Sequence, residues 1–312
     1  MIDISIIILT YNAKDVTLKM LNSLKFALDD CDRNKIKTEV IVVDNGSTDG
    51  VGVEVQEHFK WLKFIQNENV GFSKGNNLGV KNSSESKYVL FLNPDITLDK
   101  DSISNVYKYM ENDKKEEVGI ATCNVNLWSG GIDWDAHRGF PTPWRAFCYF
   151  SNLEKIAKKS SNKKIKSFFG GYHLLDKDFS KSHEIVVCLG AFLFVRRNVG
   201  EAIKWWPTDY FLNGEDVDFC YQVKELQHKK IMYLPKTSIV HYKGASKGTK
   251  KESKKITKAS DGHKKVVINS GIDAMKIFYT KYYEQKYPWI LNKIVYLGIS
   301  LLHFKRKITK AE

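Results

Sequence analysis

Four apolar runs mark the first hundred residues, and each ends in a polar cluster. Residues 4–9 form a β-branched run that stops at Thr10-Tyr11-Asn12, and residues 39–43 stop at Asp44-Asn45-Gly46-Ser47. Residues 61–65 stop near Asn67-Glu68-Asn69, and residues 88–92 stop at Asn93-Pro94-Asp95. Apolar runs without alternation predict strands covered on both faces, as in parallel sheets. Between the first two lies a helical stretch with Val16, Met20, Leu21 and Leu24 on one stripe. The segment GFSKGNNLG at 71–79 opens another helix. This strand-then-helix order predicts right-handed crossovers and an α/β fold, a mostly parallel sheet with helices on both faces. Each polar cluster falls at the carboxyl end of a strand, the edge where open α/β sheets bind ligands.

The second half is patterned differently. Residues 128–182 are loop-rich, residues 186–195 are apolar again, and Trp205-Trp206-Pro207 follows a short helix. An acidic cluster opens a helix within 209–225; residues 230–235 read as a strand, and Ile239-Val240-His241-Tyr242 as another. From 243 to 265 the chain is dense in lysine, with only Glu252 and Asp261 in balance. The tail predicts an amphipathic helix on which polar Asn292, Tyr296, Ser300 and His303 recur at helical spacing. Its apolar run is too short and interrupted to span a membrane. It packs on the core or on a second copy, or lies on an anionic membrane surface with Trp289 and the terminal Lys and Arg at the headgroups. We divide the chain at 1–127, 128–247 and 248–312, the last a basic loop with a helical extension.

Composition narrows little beyond charge. Hydrophobic residues make up 43% and charged residues 27%, as in ordinary globular proteins. Forty-nine Lys plus Arg against 36 Asp plus Glu leave +13, which attracts anions such as nucleic acid, phosphorylated ligands or acidic lipid. No nucleic-acid-binding module appears, and the lysines cluster without interleaved aromatics, so nucleic acid is not expected as a partner. The lysine segment reads as a solvated loop or as a lid over a bound phosphate group. Five scattered cysteines without a CxxC pair suggest reduced thiols in a cytoplasmic protein. The apolar start reads as a buried strand, not a signal peptide.

Asp44, trailed by Asn45, Gly46 and Ser47, either accepts hydrogen bonds from a pyrimidine base or closes an Asx turn. Gly71, Asn76 and Asn77 lie in a loop that can hold phosphate or ribose through backbone N–H groups, or serve as turn and cap residues. Asn93-Pro94-Asp95 delivers a carboxylate to the sheet edge, suited to Mg²⁺ or Mn²⁺ shared with a diphosphate. His241, after another strand, completes such a shell or is a satisfied core histidine. Glu215, Asp216 and Asp218 sit at a helix start, where the dipole favours acids and where one of them can act as general base. Residues two apart on a helix point differently, which separates Asp218 from Asp216.

The segments SIIILTYNA, VIVVDNGSTDG, NVGFSKGNNLG, YVLFLNPDI, LGAFLFVRR, FLNGEDVDFCYQ and IVHYKGAS occur in this order between about residues 3 and 247. Together they resemble the family-two glycosyltransferases, in particular the bacterial rhamnosyltransferase-like branch. The resemblance implies a GT-A fold whose amino-terminal half holds a nucleotide-sugar donor, with Thr10, Tyr11 and Asn12 lining the pocket and Asp44 at the base. Asp95 is then the acid of a DxD-type metal motif, in which Asn93 replaces the first Asp, and His241 joins it at the metal–diphosphate site. Glu215-Asp216 matches the family's acidic pair, with Asp216 as base and Glu215 orienting it or meeting the acceptor. The nucleotide-sugar contacts implied are thus Thr10, Tyr11, Asn12, Asp44, Asn45, Gly71, Asn76, Asn77, Asn93 and Asp95. The expected reaction is an inverting displacement, with dTDP-L-rhamnose or a UDP-hexose as donor and a glycan or lipid-linked saccharide as acceptor. Where relatives carry a GGFDE-like segment, this chain has Trp205-Trp206-Pro207-Thr208-Asp209-Tyr210, whose tryptophans read as core. A nucleotidyltransferase of the same fold is the rival enzyme, but it calls for a Gly-rich, lysine-bearing start that residues 4–15 lack. A catalytically silent binding protein is the other rival, and Asp44, Asp95 and Asp216 together argue against it. The enzyme is expected in the cytoplasm or peripherally on the inner face of the membrane.

Overall fold

The computed structural model describes residues 1–244 and 261–308. Most of the lysine-dense segment, and with it the lid reading, lies outside the described residues. The first half comprises β1 (Ile2–Thr10), α1 (Lys14–Arg33), β2 (Thr38–Asn45), α2 (Val51–His58), β3 (Lys63–Asn67), α3 (Phe72–Lys81), β4 (Ser86–Leu92), β5 (Ile96–Leu98), α4 (Ser102–Asn112) and β6 (Val118–Leu127). There follow β7 (His137–Arg138), α5 (Pro143–Phe150), α6 (Glu154–Lys159), α7 (Lys163–Gly170), β8 (His183–Ile185), β9 (Val187–Cys188) and β10 (Phe192–Arg196). The chain ends with α8 (Arg197–Ala202), α9 (Glu215–Tyr221), β11 (Lys230–His241), α10 (Asp261–Tyr282) and α11 (Trp289–Ile308).

The main sheet runs β3-β2-β1-β4-β10-β6-β11-β5, with β8 added to β11. From β3 to β4 every pairing is parallel, as is β6 with β11; β10 enters antiparallel between β4 and β6. Strand β1 shows why its sequence is mostly apolar on both faces. Ile4, Ile6 and Ile8 face one core with Met20, Leu21 and Leu24 of α1, while Ile7 and Leu9 face the other with Val80 of α3. Each fully buried Ile contributes about 2 kcal/mol of burial free energy. The close approach of α3 depends on its glycines. A Cβ on Gly75 would stand 2.5 Å from Leu9, and one on Gly79 2.5 Å from Ile7.

Two sequence expectations shift. The third strand is Lys63–Asn67, because it is a half-buried edge strand and Trp61 belongs to the preceding turn. The segments around 230–235 and 239–242 are one strand, β11, with a register shift between Leu234 and Ser238 where Pro235 has no N–H to give the ladder. Trp206 is buried against Phe72, Phe91 and Phe219, the core role its sequence suggested. All five cysteines are buried and free. The tail helix is amphipathic as expected, but its polar positions Asn292 and Tyr296 face inward. Asn292 bonds to Tyr279 Oη, and Tyr296 Oη to Thr280 Oγ1.

Candidate active site

Strand register gathers the polar clusters on one edge. Thr10 pairs with Asp44 and Ile8 with Leu92, so the loops after β2, β1 and β4 leave the sheet side by side. Asp44 is buried; Oδ1 accepts from Ser47 N at 3.0 Å and Oδ2 from Gln66 Nε2 at 3.1 Å. The carboxylate thus braces the turn that follows β2. Asn12, at φ 47°, accepts from Thr48 N at 2.7 Å and donates its own N–H to Ser47 Oγ at 2.9 Å, tying the first two loops together. The Thr10 hydroxyl shares a hydrogen bond with Thr17. Tyr11 and Asn93 are half-buried at the rim.

Three predicted ligand contacts turn their amides inward. Asn45 bridges Asn69 and Val70 N, Asn76 donates to Phe72 O, and Asn77 exchanges two bonds with the Trp206 backbone at 2.9 and 3.0 Å. Partners within the fold, local for Asn76 and remote in sequence for Asn45 and Asn77, hold these amides, so they shape the edge from behind. Gly71 sits at φ 86°, and a Cβ there would lie 2.8 Å from Phe211 O, so only glycine fits beneath that carbonyl.

Beyond β4 the edge carries a row of charged side chains. Antiparallel β5 and β11 pair His241 with Ile96, which brings the His241 Nε2 to 3.5 Å from Asp95 Oδ1. On its other side His241 Nδ1 is 3.0 Å from Asp133 Oδ2. Burial alone would depress this imidazole, but Asp95 and Asp133 together push it up to about 9. Lys243 Nζ pairs with Asp133 and stands 2.5 Å from Asp135 Oδ2. His173, then Lys243 and Arg138, hold the half-buried Asp135 carboxyl well below the usual range. Arg138 in turn donates to Asp216 Oδ2 at 2.8 Å and to Tyr172 Oη at 3.3 Å.

The acidic helix start is built on Gly214 (φ 87°), which caps α9 in the left-handed region. Glu215 and Asp216 are both buried there, and Asp216 Oδ1 accepts from Val217 N at 2.9 Å. Asp218 points away, as helix geometry requires. It takes Lys281 Nζ at 2.9 Å and Tyr282 Oη at 2.6 Å, anchoring α10.

Asp133, Asp135, Arg138 and Lys243 escape a reading of the sequence. Three of them lie in Asp133-Trp134-Asp135-Ala136-His137-Arg138, inside a region of weak periodicity; the closely spaced acids with a nearby arginine were the available signal. Among the described residues no group of three or more His, Cys, Asp or Glu side chains could by itself hold a metal ion. Asp95 and His241 do stand together, so the pair expected from the sequence is adjacent in space.

The family described as Glycosyl transferase family 2 matches residues 5–184, more than half of the chain, and the chain belongs to it. It is thus a glycosyltransferase. Among its relatives is the rhamnosyltransferase WbbL of Escherichia coli (strain K12), 24% identical over 246 residues, which span 76% of this chain and 82% of that protein. An uncharacterized glycosyltransferase, RC0461, of Rickettsia conorii is 31% identical over 143 residues, 41% of this chain but only 22% of that longer protein. The fold is shared with the mannosyltransferase PcManGT from Pyrobaculum calidifontis, solved with GDP-Man and Mn²⁺. That match has TM-score 0.52 and 15% identity over 98% of this chain and 82% of that one. GalNAc-T7, solved with UDP, GalNAc and Mn²⁺, superposes with TM-score 0.53 and 11% identity over 77% of this chain and 43% of that one. These likenesses make the fold GT-A.

Proposed function

We propose that this chain transfers one sugar, L-rhamnose from dTDP-L-rhamnose, to a hydroxyl of a glycan or lipid-linked saccharide with inversion at the anomeric carbon. The observation that supports the reading most is the charged chain from Asp95 through His241, Asp133, Lys243 and Asp135 to the Arg138–Asp216 pair, along the ligand-binding edge of the sheet. One end suits the leaving diphosphate, the other an incoming alcohol. Asp216 acts as general base: it takes the proton of the acceptor hydroxyl, whose oxygen bonds to the anomeric carbon as the bond to the diphosphate oxygen breaks. Arg138 positions the Asp216 carboxylate, and Glu215 meets the acceptor or orients its neighbour. Lys243 and the loop N–H groups counter the negative charge gathering on the diphosphate.

The donor set of Asp95 and His241, with Asp133 behind the imidazole, fits a divalent cation completed by diphosphate oxygens. Mg²⁺ or Mn²⁺ held there would supply Lewis-acid stabilisation of the leaving group. Two protein ligands, one of them a histidine that must first lose its proton, make that site weak without nucleotide. The GDP-Man and Mn²⁺ of the PcManGT structure and the rhamnosyltransferase name of WbbL support this reading. A UDP-hexose donor is the second reading, favoured by the UDP bound in GalNAc-T7.

The test is a panel of dTDP-, UDP- and GDP-sugars scored by donor consumption with and without Mn²⁺, followed by NMR of the product's anomeric centre. Consumption of dTDP-L-rhamnose and an inverted product support the proposal. Preference for a UDP-sugar shifts the donor, and a retained configuration overturns the mechanism.

A further inference from the structure

Helix α11 carries its apolar side outward. Trp289, Ile290, Ile294, Leu297, Leu301 and Phe304 are each between 57% and 65% exposed, while Ile299 and the polar residues Asn292 and Tyr296 face α10. From Ile290 the spacing is four, three, four, three, which gathers these side chains in one stripe along about four turns of the helix. A Cβ built on Gly298 meets nothing, so the backbone beside the stripe is also open. An exposed apolar face of this length marks a surface that something covers.

Charge identifies the occupant. Between residues 289 and 308 there is no acid, while Lys293, Lys305, Arg306 and Lys307 are basic and the whole chain carries +13. Lys293 Nζ sits 4.6 Å from the Trp289 ring centroid, so an aromatic and a cation share one end of the stripe. A second copy docking stripe to stripe would bring the flanking Lys293 and Lys305 positions together with no acid on the helix to meet them. An anionic lipid surface satisfies both features, taking the apolar stripe into its acyl boundary and the amines among its phosphates. No described helix is long and apolar enough to cross a membrane, so the geometry is that of a helix lying flat. Elsewhere α5 and α7 expose Trp144, Phe147 and Phe168, with six lysines between 155 and 166, a surface of the same make-up. We infer that α11 is a docking face for an anionic bilayer, lying in the interface plane and holding the enzyme at a membrane surface. The inference stands whichever sugar the enzyme transfers.

Flotation of the full chain with phosphatidylcholine vesicles, with and without phosphatidylglycerol, tests it. Wild type is expected to float with the anionic vesicles and to be released as salt rises. The combined substitution Ile294→Gln, Leu297→Gln, Leu301→Gln is expected to weaken that binding by about 100-fold or more. Lys293→Glu with Lys305→Glu should weaken it by about tenfold or more, with the stripe intact. Because the substituted apolar side chains face solvent, melting temperature and nucleotide binding should not change. The inference is overturned if wild type ignores anionic vesicles, or if the triple variant floats as wild type does. It is equally overturned if wild type elutes as a dimer that the triple variant converts to monomer while vesicle binding is absent from both. Should the triple variant fail to fold, the charge variant and the salt titration decide the matter.

Discussion

Replacing Arg138 with Ala would expose how far the acidic helix start depends on a residue remote in sequence. Arg138 and Asp216 are 2.8 Å apart, with side chains only 15% and 9% exposed, so their contact is nearly dry. Removing one partner of such a pair leaves the other charge buried without its counterion, at a cost of roughly 3 kcal/mol in stability. The Tyr172 hydroxyl loses its partner in the same step. Asp216 keeps only the Val217 N–H to hold its carboxylate, so its direction toward the acceptor is lost, and kcat should fall about 100-fold with a smaller change in KM. The assay is urea unfolding combined with steady-state transfer, repeated for Asp216→Asn and for the double variant. If Arg138 works through Asp216, the two losses in kcat are strongly non-additive: once Asp216 is replaced by Asn, removing the arginine costs little more. Stability within about 0.5 kcal/mol of wild type, or additive losses in kcat, would refute this reasoning.

Other expectations rest on single sites. Gly71→Ala meets both the left-handed φ and the Phe211 carbonyl and should lose about 2 kcal/mol by thermal unfolding; an unchanged melting temperature contradicts that. Burial pushes the His137 imidazole down to about 4, whereas an unfolded histidine titrates near 6.5. Above pH 6.5 both states are neutral; as pH falls toward 4 the unfolded chain takes up a proton that the folded chain resists, so about 3 kcal/mol is lost across that window. His137→Phe should flatten the pH dependence of stability there, and an unchanged slope would rule the effect out. Asp218→Ala removes the acceptor of Lys281 and Tyr282, so limited proteolysis should cut the carboxyl-terminal helices faster than in wild type.

The amino-terminal half was legible because β1, β2 and β4 are buried on both faces, so their sequences hold no polar alternation to confuse them with helix surface. The side chains of α1 at Val16, Met20, Leu21 and Leu24 occupy the core their spacing requires. Direction was not legible: β10 has the same apolar look as β4 yet runs antiparallel to it, since nothing in residues 192–196 encodes which neighbour they join. Within the site, Asp95 and His241 announced themselves by ending strands. Asp133, Asp135 and Arg138 did not, because their positions are fixed by partners more than seventy residues away in Asp216 and Lys243. Asn76 and Asn77 show the converse, polar residues in a motif-like loop that the fold itself consumes. The tail helix was recognised by its period, but periodicity cannot say which stripe faces in.

Single-turnover transfer by Asp216→Asn, set beside its donor affinity, tests the central claim most directly. Nucleotide-sugar binding is expected close to wild type, and the chemical step slower by about 100-fold or more. Transfer by the Asp216→Asn variant at the wild-type rate would contradict that claim.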